Sequence, residues 1–91
     1  MDASSVQTGI RAFVIQNFMF GQGGQLSDEE SFLEAGIIDS TGVLELVGFL
    51  EATYGIAVAD EDLVPANLDS VARVARFVER KRNEQGSRVA G

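Results

Sequence analysis

Three segments of the chain repeat apolar residues at the spacing of an α-helix, and this pattern constrains the fold most strongly. In each segment the apolar residues recur every three or four positions, so they share one face of a helix. The three stripes consist of Val6, Ile10, Phe13, Val14 and Phe18, then Val43, Leu46, Val47, Leu50 and Tyr54, then Val71, Val74, Ala75 and Val78, with Phe77 beside the third. Because each helix must bury its stripe against a neighbour, the sequence predicts an all-α fold around one core.

The segments between the stripes carry residues that end helices and form loops. Three glycines in residues 21–24 predict a flexible turn, since no Gly-Lys-Ser/Thr follows that would indicate a phosphate-binding loop. Residues 56–59 alternate as a strand would, but no second strand is available to pair with them, so we expect an extended loop. Residues 60–64 predict a short acidic helical turn that stops before Pro65. We expect Leu26 and Phe32-Leu33 to hold the first long loop on the core.

The length of 91 residues corresponds to one domain, which we place at residues 1–91 with its core in about 6–82. Residues 83–91 are expected to form a disordered tail. The hydrophobic content of 45% is sufficient for a folded chain, and no apolar run approaches the length of a membrane span. The first residues lack the basic and apolar regions of a signal peptide, so the cytoplasm is the expected compartment.

The composition excludes several kinds of chemistry. The chain contains no cysteine and no histidine, so it lacks a thiol nucleophile, the usual general base and the commonest metal ligand. No catalytic residue and no enzymatic activity are therefore expected, and any thioester chemistry would need a thiol supplied by a cofactor. The acidic run at residues 60–62 lacks the alternating ligands and glycine of a calcium loop, so no metal site is predicted.

The net charge of −7 is unevenly distributed along the chain. Residues 28–69 contain eleven acidic and no basic side chains, whereas residues 70–91 contain six basic and two acidic ones. An acidic middle argues against nucleic acid as a partner and favours proteins with basic docking patches, although it also serves solubility. We expect residues 80–82, Arg-Lys-Arg, to complement the dipole at the end of the last helix.

Ser40 directly precedes the second stripe and follows Asp39. A serine at this place is typical of a helix N-cap, and the positive end of the helix would also hold a phosphate group. The same Asp-Ser pair recurs at Asp69-Ser70, before the third stripe. The dipeptide by itself therefore favours two structural caps.

The context of the first pair is more specific. Residues 36–40 read Gly-Ile-Ile-Asp-Ser, residues 44–47 read Leu-Glu-Leu-Val, and residues 54–56 read Tyr-Gly-Ile. This ordered set resembles the acyl carrier protein family, and the resemblance covers roughly residues 6–82. It implies a four-helix bundle of acyl-carrier type, with three longer helices and one short one.

The resemblance also implies a site. In the family, the serine of the Asp-Ser pair at the start of the second helix carries a phosphopantetheine arm. The matching residue is Ser40, to which 4'-phosphopantetheine would be attached covalently, and Asp39 would help present it to a phosphopantetheinyl transferase. Ser70 lacks the surrounding residues, and the matching family position is a plain cap, so we assign it a structural role. An alternative from a different class is an acidic helical interaction module in which Ser40 is only an N-cap.

One face of the second helix is predicted to meet partners. It lies opposite the core stripe and contains Thr41, Leu44, Glu45, Gly48, Glu51 and Ala52. A single apolar anchor with an acidic rim suits a transient docking site, although an ordinary solvent face has the same composition. The implied partners are the transferase, a ligase that loads an acyl or aminoacyl group, and a downstream transferase; the chain itself is expected to be a monomer. Thr41-Gly42 after the serine is similar to stand-alone aminoacyl or D-alanyl carriers, which are loaded by adenylating ligases.

Overall fold

The computed structural model describes residues 3–19 and 26–90, and this part of the chain is helical without strands. Its elements, in chain order, are α1 (Ala3–Phe18), α2 (Ser40–Tyr54), a 3₁₀ turn (Asp60–Asp62), α3 (Pro65–Leu68) and α4 (Val71–Ala90). The all-α prediction is confirmed, with three longer helices and one short one. The predicted glycine turn at residues 21–24 lies outside the described residues.

The three apolar stripes form one core. The helix α1 packs along α4, and α2 closes the bundle against α4. The stripe residues that are fully buried are Val6, Ile10, Val14, Leu46, Leu50, Val71, Val74 and Val78. Residues 56–59 form a loop with neither helix nor strand, as expected, and Ile56 from this loop is buried in the core.

Two aromatic contacts between α1 and α2 were not apparent from the spacing. The ring of Phe49 stacks on that of Phe13 with centroids 4.2 Å apart. The hydroxyl of Tyr54 donates to the carbonyl of Val6 at 3.3 Å and passes close to Gly9, where a Cβ atom would lie 2.5 Å from it. Burial raises the pKa of Tyr54, and the charge of Arg82 opposes this rise. Gly9 therefore leaves room for the half-buried phenol of Tyr54, which explains a glycine inside a helix.

The long loop before α2 is held by two of the three residues expected to hold it. Leu26 and Phe32 are buried, whereas Leu33 is 50% exposed, so the prediction for Leu33 was wrong. Residues 31–36 form a tight turn, and the side chain of Phe32 from this turn is buried in the core. Its neighbour Leu33 consequently lies outside the core, at the molecular surface.

Pro65 begins a helical turn rather than ending one. The predicted acidic helical turn over residues 60–64 forms as a 3₁₀ turn that ends earlier than expected, at Asp62, and α3 starts at Pro65. Proline suits the first position of a helix because its fixed φ is already helical and its missing N–H is not needed there. The extended backbone of Val64 accommodates the following proline, as expected.

The last helix extends further than predicted. The backbone of α4 is helical to Ala90, where the sequence predicted a disordered tail from residue 83. Val71–Val78 fix the first two turns on the core, and the next residues are mostly good helix formers that continue an established helix at little cost. Residues 80–82 therefore lie within α4 rather than at its end, and Lys81 instead forms an ion pair with Asp62.

Candidate functional site

Asp69, which lies between α3 and α4, holds the loop that leads to Ser40. The N–H of Phe32 donates to the Asp69 carbonyl at 2.8 Å. The Asp69 carboxylate accepts hydrogen bonds from the N–H of Leu33, at 3.0 Å, and from the hydroxyl of Ser31. Gly36 ends this turn with φ of +70°, a conformation that side chains disfavour. Sequence reasoning missed this role of Asp69, because no local pattern indicates a contact across 38 residues.

The residues after Gly36 set the start of α2. The N–H groups of Ile37 and Ile38 both donate to the carbonyl of Phe32, at 2.9 and 3.4 Å. Ile38 and Phe32 are buried, so the chain enters α2 from a fixed point in the core. The position of Ser40 is therefore determined by packed residues on its N-terminal side.

Asp39, not Ser40, is the N-cap of α2. Its backbone is extended, with φ of −99° and ψ of −175°, and its carboxylate accepts from the N–H of Gly42 at 2.7 Å. The prediction that Ser40 caps the helix was wrong by one residue. Aspartate caps a helix as well as serine does, and a cap at Asp39 makes Ser40 the first helical residue.

The hydroxyl of Ser40 is available as a result. Ser40 is exposed, and within the described residues its side chain makes no hydrogen bond. It lies in the first turn of a 15-residue helix, where backbone N–H groups give the helix end a partial positive charge. The accessible hydroxyl of Ser40 therefore lies at a helix end that would tolerate an attached anion.

Gly42 allows close packing on both sides of the site. A Cβ atom at this position would lie 2.8 Å from Cε1 of Phe18 and 3.0 Å from Cγ2 of Ile38. The glycine therefore lets the first turn of α2 approach the end of α1 and the loop that precedes Ser40. This packing gives Gly42 a structural reason that is independent of cargo.

The predicted docking face of α2 is exposed. Its members Thr41, Leu44, Glu45, Gly48, Glu51 and Ala52 all lie at the surface, and Leu44 is 62% exposed. One of them also has a structural contact, because the carboxylate of Glu51 accepts from the N–H of Val58 at 3.0 Å. Glu45 is therefore the cleaner acidic residue with which to test docking.

An apolar cleft of about 250 Å³ opens beside Ser40, between α2 and the segment around α3. Val43 and Leu44 of α2 line one side, and Leu63 and Val64 line the other. The exposed large apolar side chains found in the structure, Leu33, Leu44, Leu63 and Val64, all border this cleft. The sequence showed Leu44 as an isolated exposed residue, and only the fold brings the other three beside it.

The described residues, 3–19 and 26–90, show neither a metal-binding cluster nor a membrane-spanning helix. No group of three acidic side chains in this part of the chain is arranged to hold a metal ion. None of the described helices combines the length and apolar character needed to cross a membrane.

Comparison with known proteins identifies the family. The family model described as "Phosphopantetheine attachment site" matches residues 20–78, which is more than half of the chain. The chain therefore belongs to this family of acyl carrier proteins. Domains of the family are non-catalytic carriers with covalently attached 4'-phosphopantetheine, so this chain is a phosphopantetheine-bearing carrier and not an enzyme. Its partners include a phosphopantetheinyl transferase and the enzymes that use the carrier.

Solved structures support the same fold. Eight chains match, among them one from a structure titled "Crystal structure of FAD-dependent dehydrogenase", with a TM-score of 0.69 and 23% sequence identity. That match covers 76% of this chain and 97% of the other. At this identity the similarity shows the fold alone. No curated protein matches the chain significantly.

Proposed function

We propose that Ser40 carries the phosphopantetheine arm and that the chain passes an acyl or aminoacyl group, held as a thioester, between partner enzymes. The observation that carries this proposal is the free, exposed hydroxyl of Ser40 within the segment matched by the family model. The cofactor supplies the thiol, which the chain itself lacks.

The other serines of the matched segment have hydroxyls with local roles. Ser27 accepts from the N–H of Glu29 at 3.3 Å, and Ser31 donates to Asp69 while accepting from the N–H of Glu34 at 3.1 Å. Ser70 is buried and accepts from the N–H of Arg73 at 3.1 Å. Ser40 is the one remaining candidate in residues 20–78, since these four are the serines of that segment. The alternative interaction module required Ser40 to be a cap, a role that belongs to Asp39.

The residues around Ser40 fit the cofactor. Ser40 Oγ would become an ester oxygen of a phosphodiester, and the negative charge would lie at the positive end of α2. Asp39 holds the first turn through its bond to the Gly42 N–H and so keeps Ser40 outside the core. No other group of this chain needs to act chemically, because the transferase performs the attachment.

For the cargo, we propose an aminoacyl group loaded by an adenylating ligase ahead of a malonyl group. Thr41-Gly42 supports this choice through its similarity to aminoacyl carriers, although Gly42 also has its packing reason. The cleft beside Ser40 is lined by apolar side chains apart from Ser40 and Asp69, which suits an apolar side chain on the cargo or on a partner. The holo form is incubated separately with an adenylating aminoacyl ligase and with a malonyl transferase, each with its substrates. Measuring intact mass then shows which group is loaded preferentially. Malonyl loading without aminoacyl loading would reverse the proposed order.

The partners in this proposal are the transferase, the loading ligase and a downstream transferase, each with basic residues opposite the exposed face of α2. Glu45 and Leu44 would make the central contacts, with Thr41 and Gly48 beside them. We place the exchange in the cytoplasm, where coenzyme A and an adenylating ligase would act on the same chain. A net charge of −7 supports a monomer, because it opposes association between copies.

The test of the carrier proposal is co-expression with a broad-specificity phosphopantetheinyl transferase, followed by intact-mass measurement. We expect the wild type to gain one phosphopantetheine and Ser40→Ala to gain none. Ser27→Ala is the matched control, since Ser27 is also exposed and lies in the same matched segment, and it should be modified fully. A wild type that stays unmodified while a known carrier in the same cells is modified would refute the proposal.

A further inference from the structure

One wall of the cleft beside Ser40 is attached to α4 rather than to α2. Leu63 and Val64 form this wall, and they directly follow Asp62. They are 37% and 41% exposed, so the core holds their side chains less firmly than it holds the fully buried ones. The position of the wall therefore also depends on polar contacts, which include the hydrogen bonds from the N–H groups of Asn67 and Leu68 to the Val64 carbonyl and those of the neighbouring Asp62.

Asp62 is the centre of those contacts. Its carboxylate accepts from the N–H of Ala59 at 3.0 Å and lies 2.9 Å from Nζ of Lys81. Its carbonyl accepts from the side-chain amide of Asn67 at 3.0 Å and from the N–H of Val64 at 2.8 Å. One residue thus joins the 3₁₀ turn, the start of the wall and α3.

The ion pair between Asp62 and Lys81 is a shorter polar link to α4 than those from Arg73 to the Pro65 carbonyl, at 3.2 Å, and from Arg80 to Asn67, at 3.4 Å. Both side chains are only 15% exposed, whereas those of the Arg80–Glu84 pair on the same helix are about half exposed and 4.0 Å apart. Removing one member of a shielded pair leaves the other charge without compensation, which makes such pairs sensitive to substitution. The hydrogen bond from Lys81 also holds the pKa of Asp62 below its usual range.

The segment from Val58 to Leu68 also meets α2, at its N-terminal end. There the N–H of Val58 donates to the carboxylate of Glu51 at 3.0 Å. The cleft separates the remainder of the segment from α2. A shift of the segment relative to α4 would consequently change the width of the cleft directly.

We propose that Lys81 is a positioning residue for the cleft beside Ser40, because its ion pair with Asp62 fixes Leu63 and Val64 as the outer wall. Lys81 is far from Ser40 in sequence and does not line the cleft itself. It acts through Asp62 on the shape of the surface that borders the attachment serine. The proposal concerns the unmodified chain and does not depend on the carrier function.

The test compares Lys81→Met and Asp62→Asn with Arg76→Met by NMR of the methyl groups of Leu44, Leu63 and Val64. Asp62→Asn removes the charge but retains an oxygen acceptor for the Ala59 N–H. Arg76→Met removes the same charge from α4 as Lys81→Met, at an exposed position that makes no hydrogen bond or ion pair with the described residues. We expect the methyl resonances of Leu44, Leu63 and Val64 to change their chemical shifts in the first two variants. In the control variant they should keep the wild-type chemical shifts.

Amide hydrogen exchange supplies the second readout. Losing a hydrogen bond to a charged group should speed exchange at Val64 and Leu68 by about tenfold or more, with the amides of Leu46 and Leu50 unchanged. Lys81→Arg retains the charge, so the amides of Val64 and Leu68 should exchange as slowly in this variant as in the wild type. Unchanged methyl positions in both Lys81→Met and Asp62→Asn would overturn the proposal. So would exchange that rises equally in α2, because that result would indicate a general loss of stability.

Discussion

The two Asp-Ser pairs of this chain have the same sequence and opposite structures. At the first pair, Asp39 caps α2 through the N–H of Gly42, and the hydroxyl of the exposed Ser40 makes no hydrogen bond to the described residues. At the second pair, Ser70 is buried and caps α4 through the N–H of Arg73. Asp69 there turns away from α4 and binds the loop that leads to Ser40.

The difference is a shift of one residue in where the helix begins. α2 starts at Ser40, so the aspartate takes the cap, whereas α4 starts at Val71, so the serine does. The side chain of the residue that caps the helix is hydrogen-bonded to a backbone N–H, and the side chain of the other residue is available for a different contact. A dipeptide therefore does not define an attachment site; its place relative to the helix start does.

The largest expected effect separates the two serines in the modification assay. Ser40→Ala should abolish the phosphopantetheine mass gain, because the nucleophilic hydroxyl is lost. Ser70→Ala should retain the full gain when assayed below its melting temperature, because its hydroxyl is buried and engaged. Loss of the phosphopantetheine mass gain in a folded Ser70→Ala variant would contradict the different roles inferred for the two serines.

The second prediction concerns the position three residues after each aspartate, which is Gly42 in the first pair and Ala72 in the second. Gly42→Ala should lower the free energy of unfolding by about 1–3 kcal/mol, because the added methyl group overlaps the ring of Phe18. Ala72→Gly should cost about 1 kcal/mol, mainly through helix propensity. Urea unfolding of both variants measures the difference. A neutral Gly42→Ala would show that the start of α2 is less tightly packed than the structure indicates.

The third prediction uses the stability of the same serine variants. Ser70→Ala should destabilise the chain by about 1 kcal/mol, the usual cost of losing an N-cap. Ser40→Ala should change the free energy of unfolding by no more than about 0.5 kcal/mol, because an exposed side chain without contacts is removed. Urea unfolding at neutral pH checks both values. Equal losses would mean that Ser40 also stabilises its helix.

The smallest effect concerns the charges that surround each pair. α2 exposes Glu45, whereas α4 exposes Arg73, Arg76 and Arg80. Glu45→Lys should slow transferase-dependent loading severalfold, mainly through slower association, and added salt should slow the wild type in the same direction. Glu79→Lys makes the same charge change on α4 and is the control, with loading expected to stay near the wild-type rate. Equal slowing by the two variants would show that net charge, rather than the α2 face, governs the encounter.

Much of the fold followed from local patterns. Three stripes at helical spacing correctly indicated three core helices, and the context of Asp39-Ser40 indicated the carrier family. The exposed face of α2 also followed from its angle to the core stripe. The start of α2 could not be assigned to the residue, since aspartate and serine are equally good caps and stand side by side. Pro65 was likewise ambiguous, because proline both ends one helical turn and begins the next.

By itself, then, the sequence determined which faces are buried and which segment resembles a carrier site, because helix periodicity and the order of residues are local properties. Only the tertiary structure decided that Asp69 holds the loop before Ser40, that Gly42 packs closely against Phe18, and that Lys81 meets Asp62. Each of these depends on a contact between residues far apart in the chain or between different helices. Such contacts are set by how the helices pack, and no spacing within a single segment encodes them.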